Sequence, residues 1–386
     1  MNMRSRQAIL AVATITAVGL FSLGLPDRAK AQAGKAPAPS KSGGKDYKYP
    51  TNVTTSTLKT LPFDDFFLAM GVMADSLGLD CADCHPGAGS DKVDWVIDTP
   101  QKITARKMVE MVANINKTNF GGAQMVTCYT CHHARDVPAT TIALDNLYST
   151  PNQERDDVIK AQPGQSANAI LDKYIAALGG AQKLNSLTSF VATGKSVGYE
   201  GLGGDGTFTI YAKAPDQKTT QIFFASHPER GNSTWSYNGK TGWINVPRGL
   251  VEEYEVTGSG IEGTRFEAQM DFPGQIKSIF TNWKVGPMES IGDKDFNVVQ
   301  GSNNAKGLLA TLFFDAQSGL LVRMIRYTSS PIGRVPTQTD YADYRDVGGI
   351  KFPFEYSFLW LDGRFTAKIT DVKTNVAIDA AKFGKP

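Results

Sequence analysis

The pentapeptide Cys81-Ala82-Asp83-Cys84-His85, and its second copy Cys128-Tyr129-Thr130-Cys131-His132, constrain this chain more than any other feature in it. Two cysteines three positions apart, followed at once by histidine, are what covalent haem c attachment requires. Each thiol adds to one vinyl group of the porphyrin, and the histidine then stands where it can ligate the iron. The two copies use all 4 cysteines of the chain, so neither is an isolated coincidence. Cys81, Cys84, Cys128 and Cys131 are therefore read as attachment residues for two haem c groups, with His85 and His132 as proximal iron ligands.

Other uses of four cysteines explain less. Two disulfides are open to an exported chain, in any of three connectivities. A zinc site with four thiolates is a further option, but the interval from Cys84 to Cys128 is far longer than zinc-ribbon spacing. Neither accounts for a histidine directly after each pair.

The 386 residues leave room for two or three domains, and 41% hydrophobic with 20% charged residues is a globular composition. A formal net charge of +2 gives no electrostatic case for a nucleic-acid partner. At the N-terminus, Arg4 and Arg6 precede an apolar run from Ala8 to Leu25, and Ala29-Lys30-Ala31 offers small residues before Gln32. This is the grammar of a Sec-type signal peptide over residues 1–31, which predicts a periplasmic or otherwise exported protein. Retention of the run as a membrane anchor is the alternative. No cysteine follows the run, so a lipid anchor on an N-terminal cysteine is not expected. Residues 32–60 begin with Ala, Pro, Lys, Gly and Ser and read as a flexible linker.

Residues 61–138 form the predicted haem domain. Asp64 is placed to cap a helix bearing Phe66, Phe67, Met70, Met73 and Leu77 on one face, with Gly78 ending it before the first motif. Thr99 and Pro100 start a second helix bearing Met108, Met111, Val112 and Ile115, which breaks at Gly121-Gly122 before the second motif. Helix, break and attachment motif thus occur twice, one haem per unit.

Leu77-Gly78-Leu79-Asp80-Cys81, Ala105-Arg106-Lys107-Met108 with Met111 and Ile115-Asn116, and Val126-Thr127-Cys128-Tyr129-Thr130-Cys131-His132 resemble the cytochrome subunit of photosynthetic reaction centres. In that family each haem lies against a helix whose methionine is usually the sixth iron ligand. The resemblance implies Met70 as distal ligand of the first haem and Met108 of the second. It covers about Leu61 to Pro138. The family's founding members carry four haems where this chain has two motifs, and they commonly place Arg-Gly after the second motif, where His133-Ala134 stand here. It implies a fold and a ligand set, not a role in photosynthesis.

A methionine on a helix face is by default a core residue. Each helix has a pair, so Met73 and Met111 stand as alternatives to Met70 and Met108. Met125 ranks below them. Soft thioether sulfur is a proper haem ligand and raises the reduction potential when paired with histidine. His133 reads as a residue beside a haem propionate, His227 as a surface residue of the loop Ser226–Gly231, and Arg106 and Lys107 as propionate partners or a solvated face. Two protein ligands on each iron leave no vacancy for substrate, which predicts an electron carrier and not an enzyme; a haem enzyme needs one open position.

Residues 139–165 read as a linker. From Ser166, taken as the cap of an amphipathic helix ending at Gly179-Gly180, the chain turns to strands. Gly206–Ala212, Thr234–Tyr237 with Trp243–Val246, Leu308–Asp315 with Leu320–Tyr327, and Ile350–Trp360 with Arg364–Thr374 mark a curved antiparallel sheet, with a helical interruption around Gly263–Ile279. This helix-plus-sheet pattern, ending in Tyr344-Arg345-Asp346-Val347-Gly348-Gly349-Ile350-Lys351-Phe352-Pro353, resembles the half-barrel fold of bacterial lipoprotein carriers, which hold acyl chains between sheet and helix.

The expected fold class is therefore multidomain: a small α-helical dihaem cytochrome c domain, then an antiparallel β half-barrel (α+β) domain over residues 166–386. The expected function is electron transfer with redox partner proteins through two His/Met-ligated haems, the β-domain serving partner or hydrophobic-ligand binding. The alternative is a periplasmic carrier of a hydrophobic ligand with redox-sensing haems. Phe223, Phe224, Trp235, Trp243, Phe313, Phe314 and Trp360 are candidates for a cavity lining or plain sheet packing.

Overall fold

The computed structural model describes residues 52–88, 93–138, 140–141, 157–197, 206–224, 232–246, 253–291, 293–303, 308–361 and 363–386. The expected signal peptide, most of the 32–60 linker, the middle of the 139–165 linker and His227 with its loop lie outside these residues.

Two long helices and two single-turn helices make up the first part. Helix α1 (Phe63–Leu77) starts from Pro62, with no side chain capping it. Asp64 is not its cap: it sits in the first turn and is buried, because the helix starts one residue earlier and its first turn docks against another element. The deepest positions of α1 are Phe63, Phe66, Leu68, Ala69 and Val72, while Phe67, Met70, Met73 and Leu77 are half-buried. The predicted stripe is thus rotated, because α1 is packed from more than one side. Gly78 ends it in the left-handed region at φ 64°. The first motif is helix α2 (Cys81–Cys84). Helix α3 (Pro100–Asn119) starts as expected, with Pro100 in its first turn and Thr99 Oγ1 accepting from the Lys102 amide at 3.3 Å. The second motif is helix α4 (Cys128–His132).

After helices α5 (Ala167–Ala177) and α6 (Ala181–Ser186) comes the sheet. Ser166 precedes α5, but its side chain accepts no capping bond. The strands are β1 (Ser189–Val197), β2 (Gly206–Lys213), β3 (Gln217–Phe224), β4 (Asn232–Tyr237), β5 (Gly242–Asn245), β6 (Glu253–Val256), β7 (Asn282–Val285), β8 (Glu289–Ile291), β9 (Lys294–Asn303), β10 (Leu308–Asp315), β11 (Leu321–Ser330), β12 (Gly333–Val347), β13 (Ile350–Trp360) and β14 (Gly363–Thr374). Among the described residues they form one 14-stranded sheet in the order β6-β5-β4-β3-β2-β1-β14-β13-β12-β11-β10-β9-β7, with β8 paired to β9. Neighbours in it are antiparallel, and β1 joins the first run of strands to the last through Phe190 opposite Thr374. The sheet stays open, with β6 and β7 at its ends. The expected fold class, a helical part followed by an antiparallel half-barrel, is what the chain adopts.

Alternation along the strands decides where the core lies. Buried and part-exposed residues alternate along β2 and through the first half of β12, so one face is apolar. That face packs on helix α7 (Gly258–Met270), the predicted helical interruption, which is followed by α8 (Ile276–Ile279). Phe266 of α7 is 1% exposed and lies 5.2 Å from Phe280, ring to ring. The same core takes in Phe63 of α1, whose ring meets Tyr254 edge-on at 5.0 Å. Among the described residues no helix is long and apolar enough to cross a membrane.

Candidate functional site

Both attachment motifs are held as one helical turn by the residues between and before the cysteines. Asp80 Oδ1 accepts from the Ala82 and Asp83 amides at 2.7 and 3.2 Å, and Asp83 Oδ2 accepts from the Asp80 amide at 2.8 Å. Thr127 Oγ1 accepts from the Thr130 amide at 3.3 Å, while Thr130 Oγ1 accepts from the Thr127 amide at 3.0 Å. Each is a reciprocal capping box. Its effect is to place the paired cysteines, three apart, on the same side of one turn. None of the four cysteines is in a disulfide. Burial pushes the Cys128 thiol up to about 11 and raises that of Cys84.

The two histidines differ. His132 Nδ1 lies 2.9 Å from the Arg135 carbonyl oxygen. A proton on Nδ1 donated there leaves the Nε2 lone pair for a metal. His85 stacks at a tilt on Trp95, 5.0 Å between centroids, and its Nδ1 is buried with no hydrogen-bond partner among the described residues. Burial lowers the His85 pKa to about 4, so its ring is neutral at pH 7, the form that ligates metals. A thiol pair and an imidazole on each turn are the donor set that haem c takes, and the residues fit that group.

Helix α3 spans the two motifs. At its start Thr99 Oγ1 donates to the Cys84 carbonyl at 3.1 Å. At its far end the buried Asn116 donates to the Val126 carbonyl at 2.7 Å and accepts from the Met125 and Val126 amides at 3.0 and 2.9 Å. Asn116 was visible in sequence only as part of the Ile115-Asn116 pair; a polar residue on the buried side of a helix was the signal. Asn116→Leu removes three bonds and leaves the Val126 amide and carbonyl unpaired, the Met125 amide keeping its bond to the Ala123 carbonyl. At about 1 kcal/mol per bond, urea denaturation should show a loss of about 3 kcal/mol.

Helix α1 lies along α4. The Ala134 amide donates to the Ser76 carbonyl at 3.0 Å, and a Cβ on Gly78 would collide with the Ala134 carbonyl oxygen. His133 and Ala134 are both in the left-handed region, at φ 50° and 58°. Alanine adopts that conformation only at a cost of about 1 kcal/mol. His133 stacks on Tyr129 at 5.2 Å. Met70, Met73 and Cys128 pack on one cluster with Phe66, Leu68, Val72, Val109, Ile332 and Val335. The helix that precedes the first motif therefore also borders the second. On α3, Met108 is half-buried whereas Met111 is 43% exposed, and Met125 is 62% exposed. Arg106 pairs with Asp98 at 2.5 Å. Lys107 is exposed.

A second feature lies inside the half-barrel. A cavity of about 280 Å³ is bounded by the sheet, by α7 and by Asp64 and Leu68 of α1. Trp235 and Trp243 border it, whereas Phe223 is 38% exposed elsewhere, and Phe313 packs in a separate small cluster. Its wall carries the ion pairs Lys218–Asp271 at 2.9 Å and Arg326–Glu267 at 2.6 Å. Asp64 meets the N-terminus of α7: the Thr257 amide donates to it, and a Cβ on Gly260 would collide with Asp64 Oδ2. Burial first, then the neighbouring charge of Asp65, raises Asp64 to about 7.

A helical segment with two Cys-x-x-Cys-His turns beside methionine-bearing helices, followed by an open antiparallel sheet wrapped on a helix, defines a cytochrome c-type unit joined to a half-barrel. Residues 27–178 match the family described as "Photosynthetic reaction centre cytochrome C subunit", so the match extends past Pro138 to include α5. It covers less than half of the chain and identifies that segment. No curated protein matches the chain. Among solved structures, the chain is similar to a LolA superfamily protein from Nitrosomonas europaea, at 13% identity and TM-score 0.38, covering 57% of this chain and 99% of that one. It is also similar to a DUF1329 family protein from Desulfovibrio piger, at 11% identity and TM-score 0.38, covering 56% and 96%. A third is a putative outer membrane lipoprotein-sorting protein domain from Vibrio parahaemolyticus, at 10% identity and TM-score 0.37, covering 55% and 97%.

Proposed function

We propose that this chain is an exported dihaem c-type cytochrome that carries electrons between partner proteins, and that it is not an enzyme. The observation that carries the proposal is the pair of capped attachment turns, each meeting a long helix that bears two methionines. In this reading Cys81 with Cys84, and Cys128 with Cys131, hold one haem c each. His85 and His132 are the proximal ligands, and Met70 and Met108 the distal ones, with Met73 and Met111 as their alternatives. The haem groups supply one-electron chemistry. The protein's part is to fix both axial donors and so keep substrate off the iron. His132, held through Nδ1 by the Arg135 carbonyl, directs Nε2.

Protein matured with haem-attachment machinery is expected to show two covalent haems per chain by haem stain and alkaline pyridine spectrum; one or none would sink the proposal. Reduced protein is expected not to bind carbon monoxide rapidly, since rapid binding reports an open iron. Export is tested on the mature chain, whose first residue is expected to be Gln32. The 280 Å³ cavity favours a second role, the holding of a hydrophobic ligand by the half-barrel, with the haems reporting its redox surroundings.

A further inference from the structure

The cavity and the haem-bearing helices share a wall one side chain thick. Leu68 and Val335 border the cavity and also belong to the cluster on which Met70, Met73 and Cys128 pack. Leu68 and Met70 are two residues apart on α1, a rise of about 3 Å, and the helix is about 10 Å across. A molecule in the cavity therefore lies about one helix thickness from the side of α1 that borders the second motif.

The polar groups in the wall limit what that molecule can be. Lys218 is closed by Asp271 and Arg326 by Glu267. The remaining lysine of the wall, Lys351, is solvent-exposed. No buried cation among the described wall residues is left over for a phosphate or a carboxylate, and an anionic head would be buried without a counter-charge. What is closed by neither pair is an acid, Asp64, in a wall whose remaining residues are largely apolar and aromatic. The volume lies just below the range of about 300–1,000 Å³ that encloses a drug-sized molecule, and a two-chain lipid is larger. A neutral, hydrogen-bonding ring with an apolar tail meets all of these conditions.

We infer that the cavity binds a hydrophobic hydroquinone, with its ring hydroxyl toward Asp64 and its ring against Leu68, and that this molecule is the electron donor. The inference rests on the cytochrome reading given above. Oxidation of a hydroquinone to the quinone breaks two O–H bonds and releases two electrons and two protons. The electrons are taken by the two haem groups, one each. One proton goes to the Asp64 carboxylate and the other to water. A carboxyl that titrates near neutral pH suits the first transfer, and burial gives Asp64 that character.

The test uses oxidised holoprotein and decyl-tailed benzoquinone, following the fluorescence of Trp235 and Trp243, both of which border the cavity. Saturable quenching at one quinone per chain is expected. The matching decyl-tailed benzohydroquinone should then reduce both haems. Asp64→Asn should slow that reduction at least tenfold at pH 7, with reduction by dithionite as fast as in the parent. Absence of saturable quenching overturns the inference, as does an Asp64→Asn protein reduced at the parental rate. So does recovery of a phospholipid or fatty acid, and no quinone, by mass spectrometry of a solvent extract. Those results leave the cytochrome reading standing. That reading fails on its own terms if the haem spectrum shows no covalent haem, before any quinone is added.

Discussion

Holoprotein carrying Met70→Ala is expected to lose the methionine-to-iron charge-transfer band of one haem, about half of the total intensity, and Met108→Ala the band of the other. Loss of the thioether also lowers the reduction potential of the affected haem, because sulfur stabilises the reduced iron. Both sites are accessible to this chemistry: Met70 and Met108 are half-buried, whereas Met111 is 43% exposed. The same variants tested in a chain lacking the first attachment pair (Cys81→Ala with Cys84→Ala) show which motif each methionine serves. That matters because α1 precedes the first motif in sequence but lies along the second in space. A Met70→Ala protein with the full band would assign the role to Met73.

Stability is expected to fall as pH rises from about 4 to 7, the reverse of ordinary acid denaturation. The folded-state pKa of Asp64 is raised to about 7 from a reference of 3.8 by burial, the charge of Asp65 adding to it. Below pH 4 the carboxyl is protonated folded or unfolded, and costs nothing. Between 4 and 7 the native state holds a proton that the unfolded chain releases, so stability declines with pH. Above 7 the full cost is present, about 4 kcal/mol at the upper limit. Asp75, raised to about 7 by burial, acts in the same sense. Urea denaturation at pH 5 and pH 8 measures the slope. Asp64→Asn should exceed the parent by about 2 kcal/mol at pH 5 and by about 4 kcal/mol at pH 8, with a shallower slope left to Asp75. Equal midpoints for the two proteins at pH 8 would show that Asp64 is ionised at little cost.

The parts of the site that were legible in the sequence are local. Thr99-Pro100 starts α3 because one hydroxyl reaches an amide three residues on and proline needs no amide bond there. Gly78 ends α1 because a left-handed residue is needed where the chain meets Ala134. The capping boxes at Asp80–Asp83 and Thr127–Thr130 are equally local, since each is a short-range exchange of two bonds. Asp64 shows the limit. As a residue before an apolar helix it reads as a cap, and only the arrival of α7, with Gly258 and Gly260 leaving space for the acids of α1, turns it into a buried carboxyl.

By itself, then, the sequence determined the attachment motifs and the element types: motifs, helix limits and strand alternation depend on residues within a few positions of one another. Only the tertiary structure decided that α1 belongs to two bodies at once, with Phe63 in the half-barrel core and Met70 beside Cys128. Those contacts join residues far apart in the chain, and α1, at 15 residues, is of marginal length for a helix alone. Its position follows from what it buries, the half-barrel core on one side and the second attachment turn on the other.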